Sequence, residues 1–362
     1  MKSAKKVWLR MQLNKVLWIT GIWMCISIGQ FTYEWSVLTT LDCLPDGYDP
    51  TTWFMINLLT SFLAGIIGGS VTVFLFERWF RTRAYWQAIL LMLIVYSAVY
   101  VFIAIVGYTA MSSTDSAETF QRNEGANSLL AWMFSLDFFK SYVVWFFVVV
   151  GTVIGLLVND KYGPGVLRKF LTGKYFSPKR EERIFMFLDL KDSTKIAEQL
   201  SPEDYFAFLR EVLQDITQPI LNAWGEIYQY VGDEIVISWT MERGSNRANC
   251  IRCFYDVCEV LQTRQDYYQQ RYGVIPEYKA GLHSGHVVAG EIGVVKRDVT
   301  YTGDVLNTTS RIQGMCNTLG VNILFSKHLL DVLAEMANQY HPKRLGEIAL
   351  RGKQEQVLLY TL

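Results

Sequence analysis

Two aspartates, each set at the end of an apolar run, are the residues of this 362-residue chain best placed to do chemistry. In the stretch 184–194, IFMFLDLKDST, five apolar or aromatic residues precede Asp189, and Asp192, Ser193 and Thr194 follow it. The run reads as a buried strand and its sequel as a helix start. A strand end fixes a carboxylate in place, while a helix start offers a phosphate backbone N–H groups that have no partner within the helix. The second aspartate, Asp233, lies in GEIYQYVGDEIVISW, which reads as two strands joined by a tight turn at Gly232 and Asp233. Laid beside the first strand, this hairpin brings Asp233 opposite Asp189. With a backbone carbonyl such as that of Leu190, the pair forms an all-oxygen site suited to Mg²⁺ or Mn²⁺. Two such ions about 3.5–4 Å apart would activate an attacking hydroxyl and neutralise phosphates. The ordinary alternative for a strand-end Asp is a helix cap, but Asp192 or Ser193 is better placed for that, which leaves Asp189 to a metal.

Further on, Asn307 and Arg311 are four apart in a helical segment and share one face. An amide and a guanidinium side by side can grip a sugar oxygen and a phosphate, the Arg supplying charge where it develops in the transition state. Arg351 and Lys353 flank Gly352 near the C-terminus, where they face either outer phosphates or solvent.

From Arg183 onward, the elements that position these residues alternate strand and helix, as in an α/β domain. Helices are predicted over 193–200, 202–223, 247–272, 304–317 and 327–338. Strands are predicted over 278–283 and 286–292 with Gly285 between them, then over 298–301 and 321–325, with a last pair closing the domain.

The preceding half has another character. The chain is 51% hydrophobic with a net charge of zero, so nothing in its charge favours a nucleic acid, and the apolar residues crowd into its first part. A basic segment, 1–15, precedes four runs near 16–32, 53–76, 88–108 and 141–158. Each approaches the roughly 20 helical residues that span a bilayer core. The length and Trp-rich ends of the first run disfavour a cleaved signal peptide. Residues 34–52 hold four acids and no Lys or Arg, whereas 77–83 hold Arg78, Arg81 and Arg83, and Lys161, Arg168, Lys169 and Lys174 follow the fourth run. This alternation predicts four transmembrane helices over 16–158, both termini in the cytoplasm, a basic linker over 159–181 and a cytosolic domain over 182–362. No run carries a central Asp, Glu, Lys or Arg, which argues against an ion path. Gly65, Gly68 and Gly69 form a small-residue face for helix packing. Of six cysteines only Cys250 and Cys253 make a CxxC; lacking a second CxxC or a nearby His, they read as helix packing and not zinc.

Four blocks in order, FLDLKDST (187–194), YVGDEIVISW (230–239), AGLHSGHVVAGEIG (280–293) and YTGDVLNTTSRIQ (301–313), make the segment 182–362 resemble the catalytic domain of class III nucleotide cyclases. The resemblance implies a ferredoxin-like βαββαβ core working as a head-to-tail homodimer with sites at the interface. It implies that Asp189 and Asp233 hold two Mg²⁺ or Mn²⁺ and that the amides of Leu190, Lys191, Asp192, Ser193 and Thr194 receive a nucleoside triphosphate. It gives Asn307 the ribose, Arg311 the transition state, and Lys296, Arg351 or Lys353 the outer phosphates. Base choice in the family turns on the positions occupied here by Gln229 and Thr300. Adenylate-forming members have Lys and Asp there, guanylate-forming members Glu and Cys. Thr for Asp is a familiar bacterial adenylate-forming variant, whereas a Gln amide can rotate to satisfy either purine. Asp192 stands where many members have Gly. The expected protein is a membrane-anchored adenylate cyclase making cyclic AMP and pyrophosphate. The alternatives are a guanylate cyclase and a silent cyclase-like binding or dimerisation module. The silent module is disfavoured because Asp189, Asp233, Asn307 and Arg311 are all present. A polymerase-type palm also pairs carboxylates, but leaves the Asn307 and Arg311 helix without a role.

Overall fold

A computed structural model describes residues 2–44, 48–82, 85–114, 129–162, 172–295, 297–333, 340–349 and 356–362. The chain divides into two compact units, Met1–Leu167 and Arg168–Leu362.

The first unit is helical: α1 (Lys2–Thr40), α2 (Pro50–Thr82), α3 (Tyr85–Ser112), the short α4 (Leu129–Met133) and α5 (Leu136–Tyr162). Asp49 starts α2 by accepting from the amides of Thr51 and Thr52, both at 3.1 Å, with Pro50 at the first helical position. Four segments, Gln12–Thr40, Pro50–Leu75, Ile89–Ser112 and Leu136–Val158, are long and apolar enough to cross a membrane. Their inner sides meet in a cluster that includes Val16, Trp23, Met92, Tyr96 and Val149, and their outer sides expose Leu17, Trp18, Ile22, Phe102 and Phe147. A helix apolar inside and out has no polar face to give to water. The glycine face of α2 is used within the chain. A Cβ on Gly65 would lie 2.7 Å from Thr20 Cγ2, and one on Gly68 2.7 Å from the Trp23 ring, so these glycines let α1 and α2 touch.

The second unit runs β1 (Lys179–Leu190), α6 (Ser193–Gln199), α7 (Pro202–Asn222), β2 (Glu226–Val231), β3 (Glu234–Thr240), α8 (Met241–Ser245), α9 (Asn249–Thr263), α10 (Gln265–Tyr272) and β4 (Tyr278–Ile292). It continues through β5 (Asp298–Thr302), α11 (Asp304–Gly314), α12 (Cys316–Leu319), β6 (Ile323–Ser326), α13 (Lys327–Val332), β7 (Lys343–Ala349) and β8 (Gln356–Thr361). The sheet order is β2-β3-β1-β4-β6-β8-β7, with β5 on β4. Its first four strands, antiparallel to their neighbours, form the βαββαβ core. Alternation along β1 sorts the faces. Ile184, Met186 and Leu188 join Phe208, Val212 and Ile216 of α7 and Phe254 and Val257 of α9 in the main core. Phe185 and Phe187 point the other way, towards Tyr301 of β5 and Val305 of α11. Asp189 follows the odd-numbered side.

Three local readings change. The helix predicted over 247–272 breaks at Arg264, whose guanidinium pairs with Asp215 and lies 4.5 Å from the Tyr267 ring centre. The two strands predicted around Gly285 are one, because Gly285 is not a turn: its missing Cβ makes room for Val305 Cγ2, which would otherwise be 2.7 Å away. Asp192 occupies the N-cap position of α6, but its side chain caps nothing and takes Lys195 at 2.8 Å. Cys250 and Cys253 are buried in the core along α9, as a packing role requires, and burial pushes the Cys250 thiol up to about 12.

The closest approach is at Gly281, where a Cβ would lie 2.3 Å from the backbone nitrogen of Gln313 on α11. Gly281→Ala should therefore lower the stability of the full chain by about 1–3 kcal/mol, measured by denaturant unfolding of the second unit's signal. An unchanged midpoint would show that α11 does not rest on β4.

Candidate active site

Asp189 is the last outward-facing residue of β1, and antiparallel register puts it opposite Lys279 of β4. The Lys279 ammonium lies 3.1 Å from Asp189 Oδ2, and the Gln313 amide donates to the same oxygen at 2.9 Å. Both contacts fall on Oδ2, so Oδ1 is the oxygen left to a further ligand among the described residues. Burial raises the pKa of Asp189, Lys279 pulls it back down, and Asp233 pushes it up. Asp233 is therefore within electrostatic reach, as expected for two carboxylates at neighbouring strand ends. One of its oxygens, Oδ2, is buried with no hydrogen-bond partner among the described residues. Leaving such an oxygen unpaired is expensive, and a cation is what would pair it. Glu234 adds a third carboxylate, pushed up to about 7 by burial and then by the charges of Asp189 and Asp233. The hydroxyl of Tyr278, buried and also without a partner among the described residues, is raised by burial and then by both aspartates. Among the described residues three carboxylates face one ammonium here, and that deficit of positive charge fits a divalent ion on Asp189 and Asp233.

The loop behind Asp189 leads through Asp192 into the start of α6. Asp192 has φ 52° and ψ 26°, a left-handed conformation that Asp tolerates and Gly adopts freely, which explains how it fills a position where Gly is common. The Lys191 amide is used, donating to the Glu277 carbonyl at 2.8 Å, and its ammonium pairs with the Glu277 carboxylate at 3.0 Å. The first bond into the helix runs from the Ile196 amide to the Asp192 carbonyl at 3.0 Å, which leaves the amides of Asp192, Ser193 and Thr194 ahead of the ladder.

Gln229 and Thr300 come from β2 and β5. A bulge at Tyr228 shifts the β2–β3 register, so Gln229 pairs with Val236 and is turned to the face that carries Phe187 and Asp189. Without the bulge, simple alternation would turn it into the main core. Thr300 pairs with Gly290, on the opposite side of its ladder from Tyr301. The residue that meets β2 is Tyr301: its backbone amide donates to the Tyr228 hydroxyl oxygen at 3.3 Å, and the two ring centres are 5.0 Å apart. Gln229 and Thr300 share no hydrogen bond among the described residues.

Asn307 is exposed on α11 and Arg311 is half-buried, while Val305, Thr308, Thr309, Ile312 and Gln313 form its buried side. The helix that delivers Gln313 to Asp189 thus holds Asn307 and Arg311 on another face. Lys296, Arg351 and Lys353 lie outside the described residues. Lys279, Gln313 and Glu234 are the participants that sequence reading missed. Glu234 adjoins Asp233 and was open to notice; Gln313 ends the fourth motif block; Lys279 becomes visible only once the β1–β4 register is known.

Two outcomes follow from these charges. An acid whose folded pKa is raised opposes folding fully above that value and not at all below its unfolded value. Glu234→Gln should therefore raise the melting temperature of the metal-free protein at pH 8, with the gain shrinking through pH 7 and gone near pH 4. A gain independent of pH would refute the assignment. Lys279→Met removes the competing positive charge, and calorimetric titration with Mn²⁺ in the absence of nucleotide should show about tenfold tighter binding, ~1.4 kcal/mol. Weaker binding would mean that Lys279 serves mainly to hold Asp189 in position.

Residues 177–362 match the family model described as the adenylate and guanylate cyclase catalytic domain. The chain is 34% identical over 266 residues to adenylate cyclase 2 of Rhizobium meliloti (strain 1021), a match covering 73% of this chain and 71% of that protein. It is 29% identical over 205 residues to adenylate cyclase 1 of the same organism, covering 54% of this chain and 30% of that one. With the adenylate cyclase of Anabaena cylindrica it shares 26% identity over 183 residues, covering 49% of this chain and 36% of the relative. The chain thus spans about a third of the length of these last two. A solved structure of a bacterial light-regulated adenylyl cyclase superposes with a TM-score of 0.51 at 21% identity, covering 60% of this chain and 63% of the other, a likeness of fold. The motif blocks, the βαββαβ core and the carboxylate cluster at its strand ends all lie within the matched segment, and the chain belongs to the adenylate and guanylate cyclase catalytic domain family.

Proposed function

We propose that this protein is a membrane-anchored adenylate cyclase that converts ATP to 3′,5′-cyclic AMP and pyrophosphate at sites shared by two copies of the chain. The observation that carries the shared site is the two-faced helix α11. Successive residues of an α-helix turn by about 100°, so Gln313 and Arg311 point roughly 160° apart. With Gln313 bound to Asp189 of its own chain, Arg311 cannot be turned to the same carboxylate, and the charge it offers is suited to a second copy's site.

Asp189 and Asp233, with the Leu190 carbonyl, are the residues that would hold two Mg²⁺ or Mn²⁺. When bound, the ions supply a lowered pKa for the ribose 3′-hydroxyl and positive charge against the triphosphate. The amides of Asp192, Ser193 and Thr194 bind and orient the phosphates. The partner subunit's Asn307 fixes the ribose so that the 3′-oxygen lies in line with the α-phosphorus. The partner subunit's Arg311 stabilises negative charge gathering on the α-phosphoryl oxygens. The O3′–Pα bond forms as the bond from Pα to the bridging oxygen breaks, the hydroxyl proton passes to water, and pyrophosphate leaves. Lys296, Arg351 and Lys353 are proposed for the outer phosphates.

Support for ATP comes from the relatives named adenylate cyclase and from Thr300. A guanylate cyclase is the second reading, favoured by the exposed Gln229 amide, which can pair with either purine, and by relatives such as guanylate cyclase 2D of Rattus norvegicus, 23% identical over 201 residues. The four apolar helices and the alternating positive charge support four membrane spans with both termini and the catalytic unit in the cytoplasm.

Full-length protein given ATP and GTP separately with Mn²⁺ should use ATP at least tenfold better in kcat/KM, and preference for GTP would overturn the choice of base. Chains carrying Asp189→Ala or Arg311→Ala should each fall at least a hundredfold in rate, and mixing them should restore one intact site per heterodimer. Activity retained by either variant alone, or none recovered on mixing, would overturn the shared site.

A further inference from the structure

A cavity of about 260 Å³ lies among the helices of the first unit, lined from α1, α2, α3, α4 and α5. Among the described residues, none that lines it is acidic, basic or His, so an ionised guest would lose its hydration without gaining a partner there. Seven of the described lining residues are Trp or Tyr, so aromatic side chains make up much of the wall. The polar tips of three of them are turned elsewhere. Trp23 Nε1 donates to Thr152 Oγ1 at 3.0 Å, the Tyr96 hydroxyl to the Gly68 carbonyl at 3.2 Å, and the Tyr100 hydroxyl to the Phe138 carbonyl at 3.2 Å. With the tips tied back, these side chains offer a guest their apolar ring surface and not their polar atoms.

One side of the cavity is different. Asn57 sits in a knot with Ser27 and Ser61: its Oδ1 accepts from Ser27 Oγ at 2.5 Å, and its Nδ2 donates to the Ser27 carbonyl at 3.3 Å. The adjacent hydroxyl protons are spent within the helices and the knot, Thr60 donating to the Ile56 carbonyl at 2.9 Å and Ser61 to the Ser27 hydroxyl or the Asn57 carbonyl. An amide NH₂ has two protons, and the second of Asn57 has no acceptor among the described residues. In surroundings this apolar, a fixed N–H donor favours a guest that brings an acceptor.

We propose that this cavity is a binding site for a small, neutral, ring-bearing molecule with a carbonyl group, its rings held between the aromatic walls and its oxygen accepting from Asn57. A cavity of about 150 Å³ suffices for benzene, so this one suits a fused bicycle of about ten heavy atoms. A saturated hydrocarbon chain would fill the space but offer Asn57 nothing. The site is independent of the catalytic assignment, since every residue in it belongs to the first unit.

The test uses the full chain in detergent micelles with three probes: 1-indanone, indane as the same bicycle lacking the oxygen, and decane as the chain-like competitor. Dissociation constants come from ligand-detected NMR. 1-Indanone should bind at least tenfold tighter than indane, and decane should not displace it at equal concentration. Ala104→Phe, which puts a ring into the cavity, should abolish 1-indanone binding. Asn57→Leu should bring 1-indanone and indane within about twofold of each other. Should the Phe variant fail to give a monodisperse helical protein, Ala104→Leu carries the same requirement. Absence of binding, equal affinity for 1-indanone and indane in the unmodified protein, displacement by decane, or binding unchanged in the filled variant would each overturn the proposal.

Discussion

Negative charge gathered at the ends of β1 and β3 is the constraint around which the catalytic unit is arranged. Asp189, Asp233 and Glu234 stand where two antiparallel strands end together, and each raises the proton affinity of its neighbours or is raised by burial itself. Among the described residues, Lys279 is the cation that answers them directly, from the strand on the other side of β1. The ammonium and the Gln313 amide hold Asp189 by one oxygen and leave the other free of contacts among the described residues, while Asp233 keeps a buried oxygen unpaired. A folded domain bears such a defect where a ligand relieves it, and this is the ground on which these strand ends are proposed as the working part of the domain.

The same packing that holds Asp189 also sets which face α11 turns to its own sheet. Gly281 lets α11 settle directly on β4, close enough for Gln313 to reach across to β1. That contact fixes the rotation of the helix, and a helix can turn only one side to its own sheet. Asn307 and Arg311 are left on another side as a matter of geometry. On the proposed reading the two halves of the site lie on opposing surfaces, which one chain could not close on itself but two copies arranged head to tail could close twice.

Much of this was legible in the sequence because it is local. The Asp189 strand, the Gly232–Asp233 turn and the Asn307 and Arg311 spacing each follow from periodicity within a dozen residues, and the βαββαβ order followed from the resemblance those motifs carry. What was not legible depends on register. Lys279 is an ordinary Lys before a strand until Asp189 is known to face it, and Gln229 falls on the site's face only because a bulge at Tyr228 shifts the ladder by one. Gly285 parts two predicted strands because Gly marks breaks and close approaches alike, and the position of Val305 is what tells them apart.

The first unit shows the complementary case, in which composition predicts the environment but not the interior. Apolar residues on every side of α1, α2, α3 and α5 suit lipid outside, yet lipid gives no reason for helices to adhere to one another. The contacts that join them are of other kinds. Glycines on α2 admit Thr20 and Trp23 at van der Waals range, the Ser27, Asn57 and Ser61 knot ties α1 to α2, and Trp23 reaches Thr152 on α5. Small residues and hydrogen bonds draw the helices together where they touch, and large rings hold them apart where they do not. A cavity between them is the direct result, because Trp and Tyr side chains tied back by their polar tips cannot swing in to fill it.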